Sequence, residues 1–234
     1  MTDGRSETGG KAGQGITILA MDASAGSCSV AVGSGGAALA HLARAMTHGH
    51  AAVLPPMIRQ VMDDAGRPFA ALDAVGVTVG PGSFTGVRVG LAAARGVALA
   101  VGCPCIGVTS LEAVAAAAAF PGLLLVALDT RRGDVYAQVF DAGVALGSAF
   151  VASRGTIGAV CPAGVGAIAG DGSSQIADAF PPSVERLPVN APDAQFVAAL
   201  ARHRLLAGEF RPAVPLYLRA PEVSVPRALA EAAP

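Results

Sequence analysis

The chain has 234 residues, of which 53% are hydrophobic and 4% aromatic, and its formal net charge is −1. This length allows one large domain or two small lobes, and the apolar weight in Ala, Val and Leu suits packed helices and buried parallel strands. The near-neutral charge excludes a general attraction to nucleic acid, so an RNA contact would have to be local or supplied by a partner.

Residues 1–15 are Gly-rich and polar, which predicts a disordered extension rather than a signal peptide. They contain the only lysine, Lys11, which excludes Schiff-base and P-loop lysine chemistry from the folded part. The longest apolar stretch, 113–128, is broken by Pro121 and is too short to span a bilayer. The four cysteines form no C-x-x-C pair. We therefore expect a cytoplasmic protein with reduced cysteines and no membrane segment.

The first half of the chain alternates strand and helix signals. Strands are predicted over 16–21, 28–32 and 37–44, the first of them ending in Asp22. Helix 51–65 follows, with a late start or a kink expected at Pro55-Pro56. The later elements are a strand over 72–79, a helix that ends before Gly102, a strand over 105–108 and a helix over 111–119 that is capped by T-S-L-E.

The segment 80–88, G-P-G-S-F-T-G-V-R, joins a strand to a helix. Backbone N–H groups at a helix N-terminus can bind an anion, so this turn could cradle a phosphate. Val87 and Arg88, however, stand where a Walker A motif has its lysine and hydroxyl. The alternative, which we prefer, is a turn whose glycines let the next helix sit low on the sheet.

The helix after this turn is apolar on nearly every side, and Arg88 and Arg95 are its only charged residues. Such a helix is normally buried on both faces. It could lie inside the domain, which the sequence alone favours, or pack on the sheet with one face and on a partner with the other. Its two apolar stripes are Val87-Leu91-Ala94-Ala98 and Gly86-Gly90-Ala93-Val97.

The second half repeats the first. Residues 19–26 align without gaps on 126–133, which places Asp129 where Asp22 stands, and a return strand follows each segment. This repeat predicts two related lobes. The later predictions are a strand over 163–169, a turn at Gly170-Asp171-Gly172, a helix from 175, a helix over 194–207 and an extended segment over 215–219.

Two Asp-bearing hairpins and a Gly-Asp-Gly turn resemble the superfamily of actin, hexokinase and chaperone ATPases. The resemblance implies an α/β fold of the actin-like ATPase (ASKHA) type, with two related lobes that each have a mixed sheet and flanking helices. In that fold the first hairpin cradles phosphates, the second holds metal and phosphate, and the Gly turn supports adenosine. The implied division is a lobe over 16–110, a lobe over 111–222 and a flexible tail over 223–234.

Within this superfamily, four motifs are similar to the TsaB (YeaZ) family, in order and spacing, over roughly residues 16–222. They are 80–88, a His-Leu-Pro run that begins at His50 or His48, L-D-T-R-R-G-D-V-Y at 128–136 and P-L-Y-L-R at 215–219. The block at 80–88 is the specific one, since the others would be weak alone. The resemblance implies a non-catalytic relative of TsaD, the enzyme that completes threonylcarbamoyladenosine at position 37 of ANN-decoding tRNAs. The implied partners are a TsaD homologue and the ATPase TsaE, with tRNA contacted through the complex.

The family pairs through the two helices that correspond to 51–65 and 84–101, which reverses our preference for a wholly internal second helix. We expect the interface with TsaD, or with a second copy in isolation, to contain Leu54, Met57, Ile58, Val61, Val87, Gly90, Leu91, Ala94 and Ala98. Gly90→Arg or Ala94→Glu is then expected to abolish pairing while sparing the fold.

No His pair of the kind that holds the transferase metal is present, and His48-x-His50 is interpreted as a helix start with a capping His. Arg131-Arg132 in the second hairpin oppose the close approach of a metal–nucleotide, although their charge could bind an anion or an RNA backbone. We therefore predict no catalytic residue, no metal and no cofactor beyond weak ATP or ADP binding. The predicted vestigial nucleotide or anion cleft contains Asp22, Ser24, Gly80, Gly82, Ser83, Asp129, Arg131, Arg132, Gly170 and Gly172.

Two other functions stay open at this point. One is an active ATPase or small-molecule kinase that uses Asp22 and Asp129. The other, a metallopeptidase, is the weakest because the histidine pair is missing.

Overall fold

The computed structural model describes residues 15–219, so the predicted tail over 223–234 and all but Gly15 of the predicted extension lie outside the described residues. Two five-stranded mixed sheets form the core. The first contains β1 (Thr17–Asp22), β2 (Ser27–Ser34), β3 (Ala37–Ala45), β4 (Ala74–Thr78) and β5 (Cys105–Val108). The second contains β6 (Leu123–Asp129), β7 (Asp134–Asp141), β8 (Val144–Ser153), β9 (Ala167–Ala169) and β10 (Glu185–Arg186).

Six α-helices are found in the described residues: α1 (His50–Asp64), α2 (Phe84–Val101), α3 (Ser110–Ala118), α4 (Arg154–Val160), α5 (Ser173–Ile176) and α6 (Ala194–Ala207). Three of them begin at the side-chain caps that their sequence indicates. Ser83 accepts from the Gly86 N–H, Thr109 forms a capping box with Glu112, and Asp193 accepts from the Gln195 N–H.

The two sheets have the same topology. In strand order they are β3-β2-β1-β4-β5 and β8-β7-β6-β9-β10. The second strand of each lobe runs antiparallel to the first, and the fourth and fifth run parallel to it. Asp22 and Asp129 therefore end equivalent strands, and the prediction of two related lobes is confirmed.

The predicted late start of α1 is wrong, because the helix begins at His50 and contains Pro55 and Pro56. These prolines remove the N–H groups that would bond the carbonyls of Ala51 and Ala52. Both alanines are exposed, so water can solvate their carbonyls. Burial of the apolar face of the helix, which includes Leu54, stabilises the helix by more than the two missing hydrogen bonds cost.

The first sheet is covered on both faces. Helices α1 and α2 pack on one face, in a core that includes Leu19 and Val77. Helix α6 packs on the other face, where Val197 and Ala201 meet Ile18. The sequence assigned 194–207 to the second lobe, so that boundary is corrected: α6 returns and completes the first lobe. In the second lobe, α3 covers one face of the sheet and α4 and α5 the other.

Helix α2 is long and apolar enough to cross a membrane, although Arg88 and Arg95 interrupt its apolar residues. Its inner face packs on β4 and on α1. A core helix of a soluble protein passes the same test, so one such helix is weak evidence for a membrane segment.

Residues 211–219 form an extended segment, here called the strap, that crosses from the first lobe to the second. Its Arg211 carbonyl accepts from Gly107 in β5, and the Leu216 N–H donates to the Val79 carbonyl at 2.8 Å. At its end Arg219 pairs with Asp134 of β7. The strap therefore fixes one wall of the space between the lobes.

Candidate functional site

A cavity of about 760 Å³ lies between the two lobes. Its walls are the first hairpin turn, the 80–88 turn, the second hairpin turn and the strap. Of the predicted cleft residues, the cavity brings together Ser24, Gly82, Ser83, Asp129, Arg131 and Arg132. Four others, Asp22, Gly80, Gly170 and Gly172, are not among its lining residues.

Asp22 lies fully buried beneath the cavity. Its Oδ1 accepts from the Ser24 N–H at 3.1 Å, from Ser24 Oγ at 2.6 Å and from Thr78 Oγ1 at 2.6 Å. Its Oδ2 has no hydrogen-bond partner in the described residues. Burial raises the pKa of this carboxyl, against the lowering effect of the Ser24 and Thr78 hydrogen bonds. Asp22 therefore ties β1 to β4 and does not itself line the cavity.

The glycines of the 80–88 turn allow a very close approach to the first hairpin. A Cβ on Gly82 would lie 2.2 Å from the Ser24 carbonyl oxygen, and one on Gly86 would lie 1.9 Å from the Ala23 carbonyl oxygen. The Ser83 N–H donates to the Ser24 carbonyl at 2.7 Å. These contacts account for Gly82 and Gly86 by close packing against the first hairpin turn, whereas the preferred interpretation expected packing on the sheet.

The second hairpin turn is closed by an ion triad of Asp129, Arg131 and Asp171. The Arg131 guanidinium lies 3.1 Å from Asp129 Oδ2 and 3.0 Å from Asp171 Oδ2. The Asp129 N–H donates to Asp171 Oδ1 at 2.9 Å. Burial raises the pKa of Asp171, which the Asp129 N–H and Arg131 partly offset. The charge of Arg131 is thus directed at two carboxylates, and the triad as a whole carries one negative charge.

The Gly170-Asp171-Gly172 turn positions the third member of this triad. Gly170 has φ +102°, and a Cβ there would lie 2.0 Å from the Ala127 carbonyl oxygen. The Gly172 N–H donates to the same oxygen at 3.0 Å. Both glycines therefore seat the turn against β6, which brings Asp171 to Asp129.

The nine residues predicted for a partner interface are all buried within the protein. The apolar stripes of α1 and α2 that contain these residues face the first sheet, because burial of their apolar area in the core stabilises the fold. This corrects the predicted interface. It also corrects the proposed test, since Gly90→Arg or Ala94→Glu would place a charge in the core and disrupt the fold.

The outer face of α2 is the surface that these helices leave exposed. We define it by Thr85, Arg88, Ala92, Gly96, Leu99 and Ala100, and Leu99 has 85% of its surface exposed. At one end the Arg88 guanidinium stacks 3.6 Å from the Phe84 ring centroid, and Arg88 Nε donates to the Tyr217 hydroxyl at 3.0 Å. This stack was not predicted from the sequence, although Tyr217 lies in the motif at 215–219.

The described residues contain no group of three or more His, Cys, Asp or Glu side chains that could hold a metal ion. Gly49 is the N-cap of α1, without a side-chain hydrogen bond, so the predicted capping His is wrong. His48 Nδ1 lies 2.9 Å from Thr47 Oγ1. His50 is buried in the first turn of the helix.

Two lobes of equal topology, each with an Asp-bearing hairpin beside a central cleft, define a protein of the actin-like ATPase fold. The family model of the tRNA N6-adenosine threonylcarbamoyltransferase TsaD matches residues 43–189. YeaZ from Pseudomonas aeruginosa superimposes with a TM-score of 0.78 at 29% identity, over 87% of this chain and 100% of that chain. The chain belongs to the TsaB (YeaZ) family, within this wider TsaD-type group.

Two further relatives show the extent of the match. The chain is 36% identical to the Escherichia coli tRNA threonylcarbamoyladenosine biosynthesis protein TsaB over 124 residues, and this alignment covers 52% of this chain and 53% of that protein. It is 37% identical over 174 residues to an uncharacterised Mycobacterium tuberculosis protein, over 74% of this chain and 76% of that protein. The chain thus aligns with about half the length of the named E. coli relative.

Proposed function

We propose that this protein takes part in the formation of threonylcarbamoyladenosine on tRNA, as a non-catalytic subunit that binds a TsaD-type transferase. Several of its relatives are named tRNA threonylcarbamoyladenosine biosynthesis proteins, which supports a role in forming this modification. The match of the TsaD family model to 43–189 supports a common origin with the transferase itself. Common origin favours pairing, because two related surfaces can meet about a pseudo-twofold axis.

The outer face of α2 is the observation that carries the proposal. The two charged residues of α2 are held by the strap, since Arg88 Nε donates to the Tyr217 hydroxyl and Arg95 Nε donates to the Ala213 carbonyl at 3.0 Å. Apart from Thr85, the rest of the outer face is apolar, with small residues around Leu99, which projects from it. Small side chains let another helix approach closely, and a single large apolar residue can act as an anchor.

The geometry of the cleft supports an accessory role rather than catalysis by this chain. Asp22 lies below the cavity with three donors on one oxygen, and Asp129 is paired with Arg131. In this proposal the transferase carries the chemistry at position 37 of the tRNA, and TsaE joins the pair in the cytoplasm. Any nucleotide in this chain's own cleft is bound weakly.

Co-expression with the TsaD homologue of the same organism tests the proposal. We expect Leu99→Arg to reduce co-purification at least tenfold, because a charge replaces the exposed anchor. Leu206→Arg on α6 is the matched control, since Leu206 is also an exposed leucine near a helix C-terminus. Unchanged co-purification of a folded Leu99→Arg variant would overturn the interface.

A separate assay addresses the rival enzyme. The purified protein is expected to show no Mg²⁺-dependent ATP turnover above background. Turnover that Asp22→Asn abolishes would favour an active ATPase or kinase.

A further inference from the structure

The ion triad of the second hairpin has a geometry that bears on which ligands the cleft accepts. The Arg131 guanidinium donates to one oxygen of Asp171 and lies against one oxygen of Asp129. Its side chain is 70% exposed, whereas the two carboxylates are mostly covered. The guanidinium therefore lies over the carboxylates, between them and the solvent of the cleft.

The backbone of the turn directs Arg131 back over its own hairpin. Arg131 has φ +62°, a conformation that residues other than Gly rarely adopt. Its N–H donates to Asp129 Oδ1 at 2.7 Å while its guanidinium contacts Asp129 Oδ2. Both oxygens of Asp129 are thus engaged by the same residue.

A divalent ion would need these same oxygens. Mg²⁺ and Mn²⁺ are bound through one or two carboxylates, with water completing the octahedron. In the actin-like fold the metal of a bound nucleotide belongs beside the second hairpin. Here a guanidinium already contacts both carboxylates there, and the described residues offer no group of three metal-ligating side chains. The residues present therefore do not fit a metal–nucleotide.

We propose that Arg131 is a built-in cation that takes the place of a divalent metal ion in this cleft and excludes it. The residue has two effects. It neutralises one of the two negative charges of Asp129 and Asp171, and it ties the second hairpin to the Gly170-Asp171-Gly172 turn. Arg131 is accordingly a specificity-determining residue of the cleft, and this inference does not depend on the binding of a transferase.

Titration of the full-length protein with Mn²⁺, followed by electron paramagnetic resonance of the free ion, tests the proposal. Arg131→Ala exposes the two carboxylates and is expected to bind one Mn²⁺ at least tenfold more tightly than the wild type. Arg132→Ala is the matched control from the same turn and is expected to behave as the wild type. The double variant Arg131→Ala/Asp171→Asn is expected to lose the gain, because one carboxylate ligand is removed.

Thermal unfolding gives a second measurement. At a Mn²⁺ concentration tenfold above its dissociation constant, the Tm of Arg131→Ala should rise by about 4 °C, while that of the wild type stays unchanged. Where alanine prevents folding, Arg131→Gln removes the charge and keeps a hydrogen-bonding side chain. A folded variant with no gain in Mn²⁺ affinity would overturn the proposal. Wild-type Mn²⁺ binding that Asp129→Asn abolishes would also overturn it.

Discussion

The buried ion pair between Arg204 of α6 and Glu112 of α3 joins the helix that completes the first lobe to the first helix of the second. Arg204 donates to the Gly107 carbonyl, and its second nitrogen donates to Glu112 Oε1 at 2.6 Å. Glu112 Oε2 accepts from the Thr109 N–H at 2.8 Å. Both side chains are largely removed from water, so neither can be left without its partner at low cost.

We predict that Arg204→Ala lowers the free energy of unfolding by about 3 kcal/mol, the lower end of the range for breaking a buried pair. For a chain of this size such a loss corresponds to a fall in Tm of roughly 6 to 12 °C. Arg211→Ala is the matched control, because Arg211 contacts the same Glu112 oxygen at 3.0 Å but its side chain is 58% exposed. An exposed pair contributes about 0 to 1 kcal/mol.

The pH dependence separates this charge effect from lost packing. Burial works to raise the pKa of Glu112, but the Thr109 N–H and Arg204 outweigh it and hold the pKa below its usual value. A lowered pKa in the folded state gives stability above the pKa of the unfolded chain, which is lost as the pH falls through the folded value. Arg204→Ala should therefore lose more stability at pH 7 than at pH 3.5, by urea titration followed with circular dichroism. An equal loss at both pH values, or an equal loss in Arg211→Ala, would show that the buried charge pair is not the source of the lost stability.

Three further predictions concern the first lobe. Asp22→Asn should become more stable relative to the wild type as the pH rises from 4 to 7. Burial raises the pKa of Asp22, so ionisation of this carboxyl in the wild type costs stability over that range. Equal pH profiles of the two proteins would contradict this. Gly86→Ala should lower the free energy of unfolding by at least about 3 kcal/mol, because its Cβ would overlap the Ala23 carbonyl. Gly96→Ala is the matched control, because a Cβ there would meet nothing within 4 Å. It should stabilise α2 by about 0.5 to 1 kcal/mol in the same urea titration. Ala94→Glu should abolish cooperative thermal unfolding, because Ala94 is fully buried, and a normal unfolding transition would show that α2 does not pack as described.

Local signals predicted much of the fold. Helix α6 was predicted at its observed bounds, because an Asp cap and a terminal Gly enclose one uninterrupted run. The repeat at 19–26 and 126–133 anticipated the common topology, because it carries the end of the central strand of each sheet. Strand β8 and helix α4 were missed. Most of β8 is exposed at the edge of its sheet, so it lacks the apolar pattern on which the prediction rests.

The interface error has a specific cause. Helical periodicity identified the stripe of Val87, Leu91, Ala94 and Ala98, but periodicity does not say what lies opposite a stripe. The sheet takes the stripe with the larger side chains, because more apolar area is buried there. The second stripe of Gly86, Gly90, Ala93 and Val97 is also buried or half-buried, and the residues left outside include Ala92, Gly96 and Leu99. The assignment of α6 to the wrong lobe has a similar cause. The local sequence of α6 does not show which sheet it packs on, because the first sheet is formed by residues far away in the chain.

The cleft could be predicted only where its residues are neighbours in sequence. Asp129 and Arg131 share a turn, so their proximity was foreseeable, and the bulk of Arg131 was noted. Asp171 is separated from Asp129 by 42 residues, so the pairing that engages the arginine charge could not be foreseen. The sequence therefore suggested an arginine free to bind an anion, whereas the structure places it in a triad of net charge −1.

The two lobes engage their equivalent aspartates in different ways. In the first lobe, three donors from Ser24 and Thr78 hold Asp22 beneath the surface. In the second, a guanidinium from the same turn lies over Asp129. Each arrangement removes a carboxylate that the actin-like fold would direct at a nucleotide and its metal. The outer face of α2, by contrast, has Arg88 bound to the strap and Leu99 exposed, and this contrast supports the proposed binding of a partner.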